Sequence, residues 1–223
     1  MKTLTKTLVF GVVQLVVVGS LLFVPAGTFD YWQAWVLVAL AISTWISGVF
    51  LLRANPTTLQ GRTSGGPTAE TRTVQKLVIG GLWLSLATML VVSALDHRYG
   101  WSAVPTAISV VGDVLVAVGL AVPVLVVSQN SYAAATVRVE AGQEVVSTGL
   151  YALVRHPMYI GNLITMVGIP LALASYWGLV FVVPGLIVLA LRIRDEEKLL
   201  QQELDGYREY TQKVRYRLVP CMW

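Results

Sequence analysis

Residues 158–191 read MYIGNLITMVGIPLALASYWGLVFVVPGLIVLAL, an apolar run without a charged residue. A transmembrane helix needs roughly 20 predominantly apolar residues, so the run is too long for one crossing and short for two. Ser175-Tyr176-Trp177-Gly178 interrupts it with turn chemistry and with aromatics of the kind that sit at a membrane interface. The break predicts a tight helical hairpin over 158–174 and 179–191. Four more apolar blocks precede it, at 8–24, 31–52, 77–95 and 105–127, the last containing Asp113. The expectation is an all-α polytopic transmembrane bundle of about six spans, its last two a short hairpin.

Composition agrees. Hydrophobic residues make up 56% of the 223 and charged residues only 13%, where a soluble domain carries about 25% charge. A disordered chain, a coiled coil and a disulfide-rich secreted scaffold are excluded. Cys221 is the single cysteine, so neither an internal disulfide nor a thiolate metal cluster can form; no metal site is expected.

Loop charges set the orientation, because basic residues concentrate on cytoplasmic loops. Lys2 and Lys6 precede the first span, Arg53, Arg62, Arg72 and Lys76 follow the second, and Arg138 and Arg155 follow the fourth. The C-terminal segment holds Arg192, Arg194, Lys198, Arg208, Lys213, Arg215 and Arg217, which leaves Arg98 alone on the other face among 16 basic residues. Both termini are therefore expected in the cytoplasm, with Trp32, Tyr99, Trp101, Tyr176 and Trp177 at the outer interface. The net charge of +4 needs no nucleic-acid partner, since anionic lipid headgroups account for it. A cleaved signal peptide is the competing reading of the first block, whose length exceeds the usual h-region.

Residues 53–76, rich in Gly, Pro and Thr, read as a cytoplasmic loop. Asp113 lies inside a span, where a carboxylate is expensive, and is expected to hydrogen-bond a neighbouring helix. His97 reads as a solvated loop residue. No internal repeat is visible, which disfavours an inverted-repeat transporter. Residues 1–127 thus form an N-terminal set of spans, and 128–223 hold nearly all the distinctive polar chemistry.

Within that second part, Pro157 suits the first position of a helix. Arg155 and His156 would then lie at the positive end of that helix, where an anionic group is welcome. Arg192 and Glu196 are four apart on the last helix and share a face. A hairpin that brings this face to His156 would make a pocket of cations and carboxylates, suited to a zwitterionic, cationic cofactor.

These residues carry a resemblance. Ser147-Thr148-Gly149-Leu150-Tyr151 and Arg155-His156-Pro157-Met158-Tyr159-Ile160-Gly161 are followed by Glu196-Glu197, Gly206-Tyr207-Arg208-Glu209-Tyr210 and Val214-Arg215-Tyr216-Arg217-Leu218-Val219-Pro220. In order and spacing they resemble the C-terminal signature of the integral membrane methyltransferases. That superfamily includes the isoprenylcysteine carboxyl methyltransferases and the phospholipid N-methyltransferases. The resemblance covers residues 130 onward and implies S-adenosylmethionine (SAM) as methyl donor. It also implies that Gln143, Glu144, Val145, Val146 and Tyr151 line the cofactor, with His156, Pro157, Met158, Tyr159 and Glu196. Arg192 matches the position that addresses the methyl acceptor, and Thr136 stands nearest by spacing to an upstream glutamine of the family.

The implied acceptor is lipidic or prenylated and enters sideways from the bilayer. A carboxylate acceptor is already ionised at neutral pH, so Arg192 need only position it. An amine must first lose a proton, and Glu196, Glu197 and His156 are the candidate bases. Isoprenylcysteine carboxyl O-methyltransfer is the leading expectation, with phospholipid amine N-methyltransfer as the alternative. Two other classes remain: a non-catalytic membrane assembly protein, and a membrane reductase, since the sterol reductases share a similar C-terminal helical shape. The reductase would need a nicotinamide site, and the chain has no phosphate-cradling glycine loop.

Overall fold

The computed structural model describes residues 2–54, 73–130, 132, 139, 142–220 and 223. Seven α-helices and no strand occur among them. They are α1 (Lys2–Ala26), α2 (Trp32–Ala54), α3 (Thr73–Tyr99), α4 (Thr106–Gln129), α5 (Pro157–Ala172), α6 (Val182–Glu203) and α7 (Tyr207–Lys213). Most of the loop expected over 53–76, together with Thr136, Arg138 and Cys221, lies outside the described residues.

Among the described residues three helical stretches are long and apolar enough to cross a membrane: α3, α4, and α6 with the 3₁₀ turn that leads into it. Gly11–Ala26, Trp32–Thr44 and Pro157–Ala172 are shorter apolar helices. Large apolar side chains such as Val12, Val16, Leu84, Val114, Val118 and Ile187 point outward and stay exposed. An apolar outer belt of that extent is what a lipid-facing surface requires.

The expected hairpin takes a different form. Ala174 adopts a left-handed φ of 55°, the 3₁₀ turn spans Trp177–Phe181, and α6 then runs twelve residues past Leu191 to Glu203. The principal partner of α5 is α4 rather than α6. The reason is a run of glycines on both helices. A Cβ at Gly112 would collide with the backbone of Leu171 and Ala172, and one at Gly161 would lie 2.6 Å from the Gly119 carbonyl oxygen. One at Gly168 would come within 2.9 Å of the Val116 nitrogen. Small residues let backbones approach closely, and such packing drives helix association where lipid tails are as apolar as leucine.

The core between α1, α2, α3, α4 and α5 contains Leu22, Tyr31, Met89, Val116, Ile169 and Leu173. At the same end Asp96 is buried and accepts hydrogen bonds from the Ser102 amide (2.7 Å) and hydroxyl (2.7 Å) and from Ser175 Oγ (2.5 Å). The bonds tie the two turns that follow α3 and α5. His97 is not a solvated loop residue: it belongs to the last turn of α3 and stacks on Tyr31 at 3.8 Å. Nor is the partner expected for Asp113 seen at Oδ1, which is buried without a hydrogen bond among the described residues.

Candidate active site

At the opposite end of α4 and α5, a groove with about 810 Å³ of empty space, its open mouth included, is formed by six pieces of chain. The C-terminal end of α4 supplies Asn130, the stretch after it Gln143, Glu144, Val145 and Val146, and a 3₁₀ turn supplies Tyr151. Arg155 and His156 just precede α5 and Pro157, Met158 and Tyr159 open it; Glu196 and Leu200 come from α6, Leu204 from its C-cap, and Tyr207 and Tyr210 from α7. The structure therefore brings onto one lining all ten residues that the resemblance implied for the cofactor.

Local chemistry explains how each wall is held. Gly149 opens the 3₁₀ turn at φ +59°, and a Cβ there would collide with the Gln129 side chain. Gln129 Oε1 accepts the Leu150 amide hydrogen bond at 3.0 Å, which anchors the turn to α4. Asn130 Nδ2 donates to the Tyr151 hydroxyl at 3.1 Å, and the Tyr210 hydroxyl donates to the Tyr151 carbonyl at 2.7 Å. Tyr151 thus joins α4 to α7 across the groove. Pro157 occupies the first turn of α5 as its missing N–H permits. His156 is the N-cap residue but makes no capping bond; its ring stacks on Tyr159 at 5.5 Å instead.

Glu196 and Glu197 separate on opposite sides of this wall. Glu196 lines the groove and accepts a 2.5 Å hydrogen bond from the Tyr159 hydroxyl. That hydroxyl accepts in turn from Arg192 Nε at 2.9 Å. Arg192 Nη1 donates to Gln75 Oε1 at 2.8 Å, and Gln75 Nε2 donates to Asp195 at 2.5 Å. Gln75 is wholly buried in α3, so the helices upstream of residue 107 reach the site through it. Nothing in the sequence marked Gln75, because only its burial beside Arg192 distinguishes it from any polar residue near a helix end. Arg192 is buried behind Tyr159 and off the lining.

Glu197, a candidate base by sequence, also stands off the lining. Arg155 Nε reaches its Oε1 at 2.7 Å, His156 Nε2 lies 3.2 Å from the same oxygen, and Arg217 Nε reaches Oε2 at 2.8 Å. Both oxygens are engaged, and the residue is 3% exposed. Arg155 further donates through Nη1 to the carbonyls of Val214 (3.0 Å) and Arg215 (3.1 Å). The amides of Arg155 and His156 donate to the carbonyls of Tyr216 and Arg217 at 2.9 and 3.0 Å. The C-terminal segment is thereby fastened under the start of α5. Burial pushes the Tyr207 and Tyr210 hydroxyls well above the usual tyrosine range; Glu197 adds to the effect at both, and Tyr151 at Tyr210. Both tyrosines stay neutral.

Comparison with known proteins assigns the segment that builds most of this groove. Residues 107–205 match the model of the family described as phospholipid methyltransferase. A stretch of 95 residues, 40% of the chain, is 33% identical to the Delta(14)-sterol reductase TM7SF2 of Mus musculus. The chain spans only 22% of that relative's length. Over residues 107–205, less than half of its length, the chain is similar to the phospholipid methyltransferases, which share a superfamily of membrane methyltransferases with the isoprenylcysteine carboxyl methyltransferases.

Proposed function

We propose that the protein is a membrane methyltransferase that uses SAM and methylates a lipidic or prenylated acceptor at the cytoplasmic membrane face. The observation that carries the reading is the groove at the start of α5, where Glu196 and the first turn of that helix share one lining. The residues fit the donor's chemistry. A carboxylate suits an ammonium or ribose hydroxyls, and the first turn of a helix suits a carboxylate. SAM, when bound, would supply a methyl group carried on a sulfonium.

The protein's own residues do the rest. Glu196, oriented by Tyr159, binds from α6, while Gln143, Glu144, Val145, Val146 and Tyr151 close the opposite side. His156, Pro157, Met158 and Tyr159 form the floor. Glu197 acts through Arg155 and His156 as a positioning residue. Arg192, one helical turn toward the apolar half of α6, addresses the acceptor's polar end beside Tyr159. For a carboxylate it needs only to orient, as in isoprenylcysteine carboxyl O-methyltransfer. For a phospholipid amine, Glu196 and His156 are candidate bases on the groove lining, and the description of the matching family favours this acceptor. Residues 128–223 would be the catalytic region, carried on the spans of 1–127.

A reductase is the second reading, favoured by the sterol reductase relative. Isothermal titration of the purified protein with SAM and with NADPH separates the two. We expect SAM to bind and Glu196→Gln to weaken it about ten- to hundredfold, the loss of a charge-assisted contact of about 1.5–3 kcal/mol. Binding of NADPH without SAM would overturn the methyltransferase reading, and equal SAM affinity in the variant would remove Glu196 from the site.

A further inference from the structure

Tyr207 is a groove residue whose hydroxyl pairs with nothing among the described residues. The side chain is 4% exposed, packs with Leu204, Tyr210 and Val214, and lines the groove. Its Oη is buried and has no hydrogen-bond partner among the described residues. The neighbouring Tyr210 makes the contrast, since its hydroxyl donates to the Tyr151 carbonyl at 2.7 Å. A buried hydroxyl left unpaired is costly, and nearly all such groups in native proteins find partners. Phenylalanine would fill the same space without that cost.

We infer that the Tyr207 hydroxyl is a ligand contact, a specificity-determining group that pairs only when the groove is occupied. The surroundings select what it meets. Glu196 lines the same groove, and Glu197 lies close enough to act on Tyr207 electrostatically, while the nearby Arg155 is committed to Glu197 and two backbone carbonyls. An anionic group would be repelled by this arrangement. A neutral hydroxyl or an ammonium would be accepted, so Tyr207 addresses the ribose or the amino nitrogen of SAM rather than its carboxylate. The inference rests on the SAM reading proposed above and adds a residue to it.

The test uses the full chain in detergent and reads ligand-free stability and ligand affinity separately. Tyr207→Phe removes an unpaired hydroxyl, so the ligand-free variant should melt at or above the wild-type temperature. Its SAM affinity by isothermal titration should fall about five- to tenfold, the worth of one neutral hydrogen bond. Tyr210→Phe is the control: it loses a made bond and should melt below wild type without ligand. Titration of Tyr207→Phe with 5′-methylthioadenosine, which keeps the nucleoside and lacks the amino-acid end, locates the contact. A parallel loss assigns it to the ribose; an unchanged affinity beside weakened SAM binding assigns it to the ammonium. A Tyr207→Phe protein that binds SAM within twofold of wild type overturns the inference. So does a ligand-free variant that melts lower, since the hydroxyl would then have a structural partner. Failure of the wild type itself to bind SAM would remove the underlying reading instead.

Discussion

Glu196 and Glu197 differ by about 100° around α6, and that rotation separates two tasks for one residue type. Glu196 meets the groove through Tyr159, whereas Glu197 is enclosed by Arg155, His156 and Arg217. Removing one partner from a buried ion pair leaves the others uncompensated, at a cost of about 3–5 kcal/mol. Glu197→Gln is therefore expected to destabilise the protein by that order, and Glu196→Gln by much less. Thermal or denaturant unfolding of the two variants in detergent would check the ranking, which equal losses would reverse. Arg192 is held by a planar fork, with Nε on Tyr159 and Nη1 on Gln75. A lysine carries the charge but cannot reproduce two divergent bonds in one plane. Arg192→Lys should keep SAM affinity within a few-fold and lose most methyl transfer to a carboxylate acceptor. Full transfer activity in that variant would reduce Arg192 to an interface anchor.

Among the elements, α4 and α5 form the tightest pair, and their contact places the start of α5 beside the end of α4. The groove inherits its shape from this pair, since Asn130 ends α4 and His156 caps α5. Gly119 shows how little room there is: an added Cβ would collide with Thr165 Oγ1 and lie 2.7 Å from the Gly161 carbonyl oxygen. Overpacking of a close contact costs about 1–3 kcal/mol. Gly119→Ala and Gly161→Ala should each lower stability by that order, measured by denaturation in detergent. The same change at Gly80, whose added Cβ would meet nothing within 4 Å, should be neutral or slightly stabilising through helix propensity. Indistinguishable stabilities in all three would mean that α4 and α5 sit farther apart.

For the whole molecule the open quantity is the side of the membrane each end faces. With Cys221 replaced by serine no thiol remains, so single cysteines report topology cleanly. The distribution of Lys and Arg predicts that a cysteine at Glu209, exposed on α7, is labelled only from the cytoplasm. A cysteine at Tyr99, exposed at the end of α3, should be labelled only from outside. Labelling of position 209 by an impermeant reagent in intact cells would put the groove on the wrong side for a cytoplasmic donor.

How far these features were legible depends on the kind of interaction that sets them. The apolar blocks, the break at Ser175–Gly178 and the helix start at Pro157 are local, so hydropathy and turn chemistry reveal them without a fold. The ordered motifs from Ser147 to Pro220 also lie along the chain, and they implied the ten residues that the groove gathers. The run of α6 past Glu196 to Glu203 was less readable, because polar residues continue a helix only when something packs against them. Glu197 and Leu199 are both buried there. What only the tertiary structure decided are the contacts between segments far apart in sequence. Gln75 meets Arg192 across 117 positions, Arg217 and Arg155 converge on Glu197, and the glycines of α4 find those of α5. A sequence lists which residues are able to pair. Their partners, and with them the division between a groove-lining Glu196 and an enclosed Glu197, follow from the close packing of helices whose facing sides no local pattern records.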